Sequence, residues 1–524
     1  MTRGSCHYLL PENHTPQDSF TLLEALGKVK TKAPEKSCRT YFDTFDWRLH
    51  RHGSSLMEER RSHQIRTWWR RLADNMTLGQ ISMSTPRFAR DLPRGPLREK
   101  IASIIEMRAL LPVASVDVVA YQGKLLNKNG KSVLRICVES AILNEGGRFS
   151  LPHRIRLEPL NGYRKHYDHA RKLIEKTLSC QTAEAELEEA LRCLGKKSQD
   201  YSGKLDLNLV ASMASGSAIK LILEQLLTIM ECNLDGARRG TDSEFLHDFR
   251  VALRRTRSLV NQIKGVLPDQ VLERFRPEFK WLGEITGPTR DLDVYLLKWP
   301  TYQMSLPEPM RNDLEPLHGF LTLRQKKAQK VLARQLASKR CQRLLREWRE
   351  FLEMPMESTI WPHKAEQSIG KIASRRIWKT CRQVWKKGAV IDDSSPPEAL
   401  HELRIACKKL RYLMEFFQSL YPADVIRKLI KTLKEFQDNL GGFQDITIQT
   451  SALHQFRQEM QQERSDLPDS VFMAIEVLID HVHCQQLAFR KKIGSLFTDF
   501  SALANRRTCR SLFRQKVFQK ETAK

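Results

Sequence analysis

Long apolar runs are missing from this sequence, and no stretch approaches the ~20 residues that a membrane-spanning helix needs. The opening segment, MTRGSCHYLLPENHTP, turns polar and meets proline too early for a secretory signal. A cytoplasmic protein with no membrane partner is therefore expected. Cysteine occurs at 11 positions, Cys6, Cys38, Cys137, Cys232, Cys407 and Cys484 among them, but in no CxxC pair or other metal-ligand spacing. Scattered thiols of this kind fit a reduced, intracellular compartment. Acidic residues are in deficit, 61 against 87 Lys and Arg, so the net charge of +26 draws anionic partners. Nucleic acid, an anionic surface and a polyphosphate chain all satisfy that balance.

At 524 residues the chain is long for one core and predicts two or three domains. The first 160 or so residues mix alternating runs, such as Ser132-Val-Leu-Arg-Ile-Cys-Val138 and His153-Arg-Ile-Arg-Leu157, with turn signals. They predict half-buried strands, with a helix near Leu97 to Leu110. Helical periodicity then dominates from Tyr163 to Leu194 and from Leu209 almost to the end. The predicted organisation is an α+β domain over 1–195, a polar linker over 196–208, an all-α domain over 209–505 with halves of about 209–350 and 360–505, and a basic tail over 506–524.

The helical part contains an internal repeat. Leu246-His-Asp-Phe-Arg-Val-Ala-Leu-Arg-Arg-Thr-Arg257 aligns with Leu400-His-Glu-Leu-Arg-Ile-Ala-Cys-Lys-Lys-Leu-Arg411 at an offset of 154 (400 − 246). Phe279-Lys-Trp-Leu-Gly-Glu-Ile-Thr-Gly-Pro-Thr-Arg-Asp291 and Leu433-Lys-Glu-Phe-Gln-Asp-Asn-Leu-Gly-Gly-Phe-Gln-Asp445 share that offset (433 − 279). Two blocks in one register predict a duplicated helical unit related by a pseudo-twofold axis. On a helix His247, Arg250, Arg254 and Arg257 fall within an arc of about 80°, beside an apolar arc of Leu246, Phe249, Leu253 and Val260. The second copy repeats this with His401, Arg404, Lys408 and Arg411 beside Leu400, Leu403, Cys407 and Met414. Like charges at i,i+3 and i,i+4 repel, and no acidic residue alternates with them here. The stripe is either a solvated face or a seat for an external anion, and its duplication favours the second. Guanidinium forks and lysine point charges along about 15 Å of helix suit consecutive phosphates. Each histidine is read as a phosphate donor in preference to a phosphorylated nucleophile, because no carboxylate-paired catalytic set accompanies it.

At these residues the sequence resembles the CHAD family, the conserved histidine α-helical domain, over roughly Val210 to Asn505. Gly287-Pro-Thr-Arg-Asp-Leu-Asp293 and Gly441-Gly-Phe-Gln-Asp445 complete the likeness. The resemblance implies a helical fold of two pseudo-symmetric bundles with a basic groove, inorganic polyphosphate as ligand and association with polyphosphate granules. It assigns ligand contacts to His247, Arg250, Arg254, Arg257, His401, Arg404, Lys408 and Arg411, with Arg255 and Lys409 flanking. Lys371, Arg375, Arg376 and Lys379 on another basic helix either extend the groove or form a solvated face.

The N-terminal half resembles a CYTH domain of the triphosphate-tunnel superfamily, through Arg39-Thr-Tyr-Phe-Asp-Thr-Phe-Asp-Trp-Arg-Leu49 and Arg156-Leu-Glu-Pro-Leu-Asn-Gly-Tyr163. That likeness implies a β-barrel. Its opening strand should carry an ExExK signature for divalent metal, yet Ser5-Cys-His-Tyr-Leu9 stands there. The expectation is a catalytically degenerate barrel, with no cofactor and a divalent metal only if this half is active. Arg60, Arg61, Arg66, Arg70, Arg71, Arg135, Arg154 and Arg156 either line an anion-binding interior or lie on strand surfaces. The expected function is polyphosphate binding without turnover; the alternatives are a metal-dependent triphosphatase and a nucleic-acid-binding protein. The absence of aromatic residues between the cations of the stripe argues against nucleic acid.

Overall fold

The computed structural model describes residues 6–514 apart from 12, 63, 145–148, 179–185, 359, 393 and 465. The chain divides into two compact units, Met1–Ser202 and Gly203–Lys524. In the first, the strands are β1 (Cys6–Leu9), β2 (Val29–Thr31), β3 (Glu35–Asp43), β4 (Ser54–Arg61), β5 (Gln64–Arg71), β6 (Thr77–Ile81), β7 (Leu111–Leu126), β8 (Ser132–Leu143), β9 (Phe149–Ser150) and β10 (Arg154–Pro159). They form one antiparallel sheet in the order β1-β10-β8-β7-β3-β4-β5-β6, with β2 on β7 and β9 on β8. Among the described residues β1 and β6 do not bond to each other, so the expected barrel takes the form of a curled, open half-barrel.

Strand alternation sorts the side chains of this sheet by polarity. Ile136 and Val138 of β8 and Ile155 and Leu157 of β10 pack on α1 (Pro16–Glu24) and α4 (Arg164–Leu178), through Phe20, Leu23, Tyr167 and Ile174. The intervening Cys137, Glu139, Arg154 and Arg156 face the opposite side, where they line a cavity. Three further helices complete the unit: α2 (Arg48–Arg51), α3 (Pro96–Ile105) and α5 (Glu186–Cys193).

The second unit is helical: α6 (Ser215–Arg239), α7 (Ser243–Gln262), α8 (Asp269–Ile285), α9 (Gly287–Ser305), α10 (Glu315–Leu336), α11 (Lys339–Glu353), α12 (Ile369–Gly388), α13 (Pro397–Phe416), α14 (Ala423–Glu463), α15 (Asp469–Ser501) and α16 (Leu503–Phe513). The 154-residue offset runs through the whole unit, for α6/α12, α7/α13, α8/α14 and α10/α15 all begin at positions related by it. Two breaks are not repeated: α10 and α11 are separate where α15 runs on to Ser501, and the other lies between α8 and α9. Helices α8 and α9 are separate where α14 runs on, because Pro288 has no N–H to continue the ladder and its counterpart is Gly442. A Cβ at Gly442 would stand 2.4 Å from the Phe489 ring.

The pseudo-twofold relation is visible in the backbone. Ala214 and Ser368, themselves equivalent, form an antiparallel bridge. Its two hydrogen bonds exchange under the offset: Ser215 N–H donates to the Gln367 carbonyl, and Ile369 N–H to the Met213 carbonyl, both at 2.8 Å. The halves also share a core, in which Trp299, Leu317 and Leu321 of the first copy pack with Ile446, Leu453, Ile475 and Leu478 of the second. Residues 506–513, expected in a basic tail, instead belong to α16, which buries Cys509 and Phe513; residues 515–524 lie outside the described part. Among the described residues no helix is long and apolar enough to cross a membrane.

Gly236 lets α6 and α7 approach, since a Cβ there would lie 2.2 Å from the Phe245 ring. Gly236→Ala is expected to cost about 1–3 kcal/mol through overpacking, seen as a lower denaturant midpoint; an unchanged midpoint would contradict this account of the contact.

Candidate anion-binding site

Helix α7 starts at Asp242, whose side chain accepts from the Glu244 and Phe245 N–H groups. The apolar arc read from sequence is buried in both copies: Leu246, Phe249, Leu253 and Val260 on α7, and Leu400, Leu403, Cys407 and Met414 on α13. Burial of that arc leaves the cationic stripe on the margin. His247, Arg250, Arg254, Arg257, Arg404, Lys408 and Arg411 are half-buried, and His401 is exposed.

Several contacts of the stripes recur in both copies. Arg250 donates to the Gly283 carbonyl at 3.1 Å and to Thr286 Oγ1 at 2.8 Å. Its guanidinium lies 3.8 Å from where a Gly287 Cβ would stand, and Asp291 is a nearby counter-charge. Arg404 lies 3.7 Å from the corresponding point on Gly441, and its Nη2 is 3.3 Å from Asp445. Arg257 crosses Gly283 so closely that a Cβ would meet its Nη1 at 2.7 Å, and Arg411 donates to Gln437 Oε1 at 2.7 Å. The partners 283/437, 287/441 and 291/445 are all separated by 154 and spaced four residues apart, on one face of a neighbouring helical line.

The two stripes meet where α7 and α13 pack together. Arg255 pairs with Glu415 at 3.0 Å, and Gln262 Nε2 donates to the Lys409 carbonyl at 3.3 Å. The α7 index rises along this contact as the α13 index falls, so the helices run antiparallel, as a twofold between them requires. Burial, then Arg254 on the opposite helix and then Arg404, push the Lys408 ammonium down to about 8, with Asp445 opposing and Arg411 adding. Arg254 and Lys408 are equivalent residues, so the charge that Lys408 feels from the opposite helix is of its own sign. Arg254 Nε is shielded from solvent and has no hydrogen-bond partner among the described residues. Burial and then Arg254 also hold Arg250 below the usual arginine range, against the pull of Asp291.

Helix α9 adds two cations that reading by sequence missed. Arg290 donates to the Ser243 carbonyl at 3.2 Å, and burial depresses it. Lys298 is likewise lowered by burial, with Asp445 opposing. Arg290 lay inside an aligned block and was detectable there; Lys298, whose counterpart is Ala452, left no signal. Other expected residues lie on α12 or, like Lys409, turn to solvent beside the crossing. Arg376 donates to the Gln262 carbonyl at the end of α7, Lys371, Arg375 and Lys379 are exposed on α12, and Lys409 is exposed.

The half-barrel holds a second group of arginines with a different balance. Its cavity, about 440 Å³, is lined by His7, Arg39, Arg70, Arg71, Glu139, Arg154, Arg156 and Glu186 among others. Arg39 is buried against three carboxylates, Glu59 at 3.2 Å, Glu139 at 2.7 Å and Glu186 at 2.7 Å. Burial alone would lower Arg39, but Glu139 and Glu186 raise it above the usual range. Glu189 of α5 pairs with Arg154. His7 is lowered to about 4 by burial and then Arg156, so it is neutral at physiological pH. Arg60 and Arg61 pair with Glu58 and Glu59, Arg66 is exposed, and Arg135 lines an adjoining cleft of about 620 Å³ with Lys30, Lys32 and Lys124. Asp43 is occupied at the start of α2, where it accepts the Thr44, Leu49 and His50 N–H groups. These donors do not fit a divalent metal: the carboxylates of the cavity are engaged by arginine, and among the described residues no group of three His, Cys, Asp or Glu could hold an ion.

Residues 221–460 match the CHAD domain family. Of the solved structures, the CHAD domain from the plant Ricinus communis is similar at 25% identity and a TM-score of 0.47, covering 56% of this chain and 94% of that one. PptA from Streptomyces chartreusis is similar at 14% identity and a TM-score of 0.43, with 55% and 100% covered. A putative adenylyl cyclase from Hippeastrum, described as having a dominant triphosphatase activity, is similar to the N-terminal part at 14% identity and a TM-score of 0.26, with 38% and 99% covered. No curated protein matches the chain.

Two stability effects follow. Lys408 is depressed from 10.5 to about 8, so its charge penalises the fold below pH 8, and the penalty is relieved between about pH 8 and 10.5. Lys408→Met is expected to raise the free energy of unfolding at pH 7 by on the order of 2 kcal/mol, with the gain vanishing above pH 10.5; a loss of stability at pH 7 would refute the repulsion. Arg39→Met leaves buried carboxylates without a counter-charge and is expected to destabilise the half-barrel by about 3–5 kcal/mol in denaturant titration.

Proposed function

We propose, from the premise that residues 221–460 form a CHAD domain, that this unit binds inorganic polyphosphate along the paired stripes of α7 and α13, without turnover. The observation that carries the reading is the meeting of Arg254 and Lys408, two partly desolvated cations with a shielded guanidinium N–H left unanswered. Such an arrangement stores repulsion that a dense linear anion relieves, each arginine fork donating to phosphate oxygens and the charged Lys408 gaining a counter-ion. His247 and His401 extend the row at its ends, and Arg290 and Lys298 widen it. Granule association follows from the same chemistry. A base-bearing ligand is less well served, because Tyr412, whose ring centre lies 5.1 Å from the Arg411 guanidinium, is buried and offers no stacking face. For the half-barrel, the paired carboxylates favour a supporting role over metal-assisted hydrolysis of triphosphate.

The test is calorimetric titration of the full chain with long-chain polyphosphate. Binding should weaken as salt rises, release no phosphate, and fall by at least about 100-fold in the double variant Arg250→Glu plus Arg404→Glu. Unchanged affinity in that variant, or equal displacement by RNA at matched phosphate concentration, would overturn the proposal.

A further inference from the structure

The outer face of α12 breaks the repeat that its inner face keeps. Ala373, Ile377, Cys381 and Val384 are buried, as are their α6 counterparts Ile219, Leu223, Leu227 and Met230. On the outside, Lys371, Arg375, Lys379, Arg382 and Lys386 fall within an arc of about 80° and run about 22 Å along the helix. There α6 carries Ser217, Leu221, Gln225, Thr228 and Cys232. All five cations are exposed, and among the described residues the ion pair of α12 is a different one, Lys387 with Glu402 of α13. Helix α12 contains no acidic residue, so like charges at i,i+4 repel with nothing between them.

Two tryptophans border this stripe. Trp378 and Trp385 stand where α6 has Glu224 and Glu231; both are half-buried, and their rings meet edge to face at 5.7 Å. Arg506 of α16 lies over the Trp385 ring, 5.5 Å from its centre, and Arg510 follows one turn on, both exposed. Helix α16 has no Asp or Glu either. The α7–α13 crossing meets α12 on another side: Arg376, which reaches the Gln262 carbonyl, and Lys387 lie about 140–160° round the helix from Lys371.

We infer that this face of α12, with the adjoining arginines of α16, binds single-stranded nucleic acid as a second ligand surface separate from the α7–α13 stripes. Exposed cations about one turn apart track a phosphate backbone, and indole rings beside them give unpaired bases a surface to stack on. A solvated basic face needs no tryptophan at its edge, and an inorganic phosphate chain gains nothing from one. The α7 and α13 stripes are duplicated and have no aromatic residue between their cations; this face is single and has two indoles. A duplex fits less well, because its bases are already stacked on one another and do not reach the rings.

The experiment uses the full-length protein carrying Arg250→Glu plus Arg404→Glu, which disables the α7–α13 stripes and leaves α12 unaltered. The probes are labelled strands of about 12 nucleotides, read by fluorescence anisotropy: oligouridylate and oligothymidylate, which distinguish RNA from DNA, and an abasic strand with the same phosphates. At least one base-bearing strand should bind about 10-fold or more tighter than the abasic strand. Adding Arg375→Gln plus Lys379→Gln should weaken every strand by about 10-fold, and adding Trp378→Ala should bring the base-bearing strand down toward the abasic one. Equal affinity for base-bearing and abasic strands, or binding untouched by Arg375→Gln plus Lys379→Gln, would overturn the inference. The abasic comparison and the change of exposed cations need no tryptophan variant, so a fold weakened by losing Trp378 does not remove the test. Because the stripes are disabled throughout, failure here leaves the polyphosphate reading standing, and failure of that reading leaves this one.

Discussion

Like charges brought together at a helix crossing must be held there against their own repulsion, and the architecture of the C-terminal unit answers to that requirement. The helices carrying them resist because their other faces are anchored: Leu246, Phe249 and Leu253 in one copy and Leu400, Leu403 and Cys407 in the other are buried. Around the cations, carbonyls, an amide and single carboxylates fix direction without cancelling charge. Arg250 is steered by Gly283 and Thr286, Arg404 by Asp445, and Arg411 by Gln437. Glu415 lies between Arg255 and Arg411 and bounds the excess on one side.

The half-barrel shows the opposite solution built from the same residue type. Arg39 is surrounded by Glu59, Glu139 and Glu186, and Arg154 is met by Glu189, so the positive charge of those arginines is spent within the chain. The overall charge of +26 is thus a poor guide to where an anion would go. What separates Arg39 from Arg254 is pairing. A saturated guanidinium stabilises the sheet that buries it, and an unanswered one is available to something else.

The duplicated helix was legible in sequence because its two faces have different chemistry, and the apolar and cationic arcs both survive the repeat. The strands of β8 and β10 were legible through alternation, as at Ile155 and Leu157 between Arg154 and Arg156. The partners of the arginines were not. Gly283, Thr286 and Gln437 are contacted through backbone or through groups with no charge pattern, and only packing brings them near. Lys298 has no counterpart in the repeat, so register gave no reason to notice it. For Arg376 the sequence left a groove position and a solvated face both open, because a one-dimensional pattern cannot show that its guanidinium ends on the Gln262 carbonyl. The break at Pro288 and its absence at Gly442 were written in the sequence, but aligned blocks emphasise what matches and pass over a difference of that kind.

The core shared between the copies fixes the number of stripes. Trp299, Leu317 and Leu321 share their core with α14 and α15, so a chain ending after the first copy would open that core to water. A single copy is therefore not a smaller working version of the unit. The valence of the surface is set by hydrophobic packing on the far side of the helices, and shortening the protein would abolish the fold before it could halve the grip.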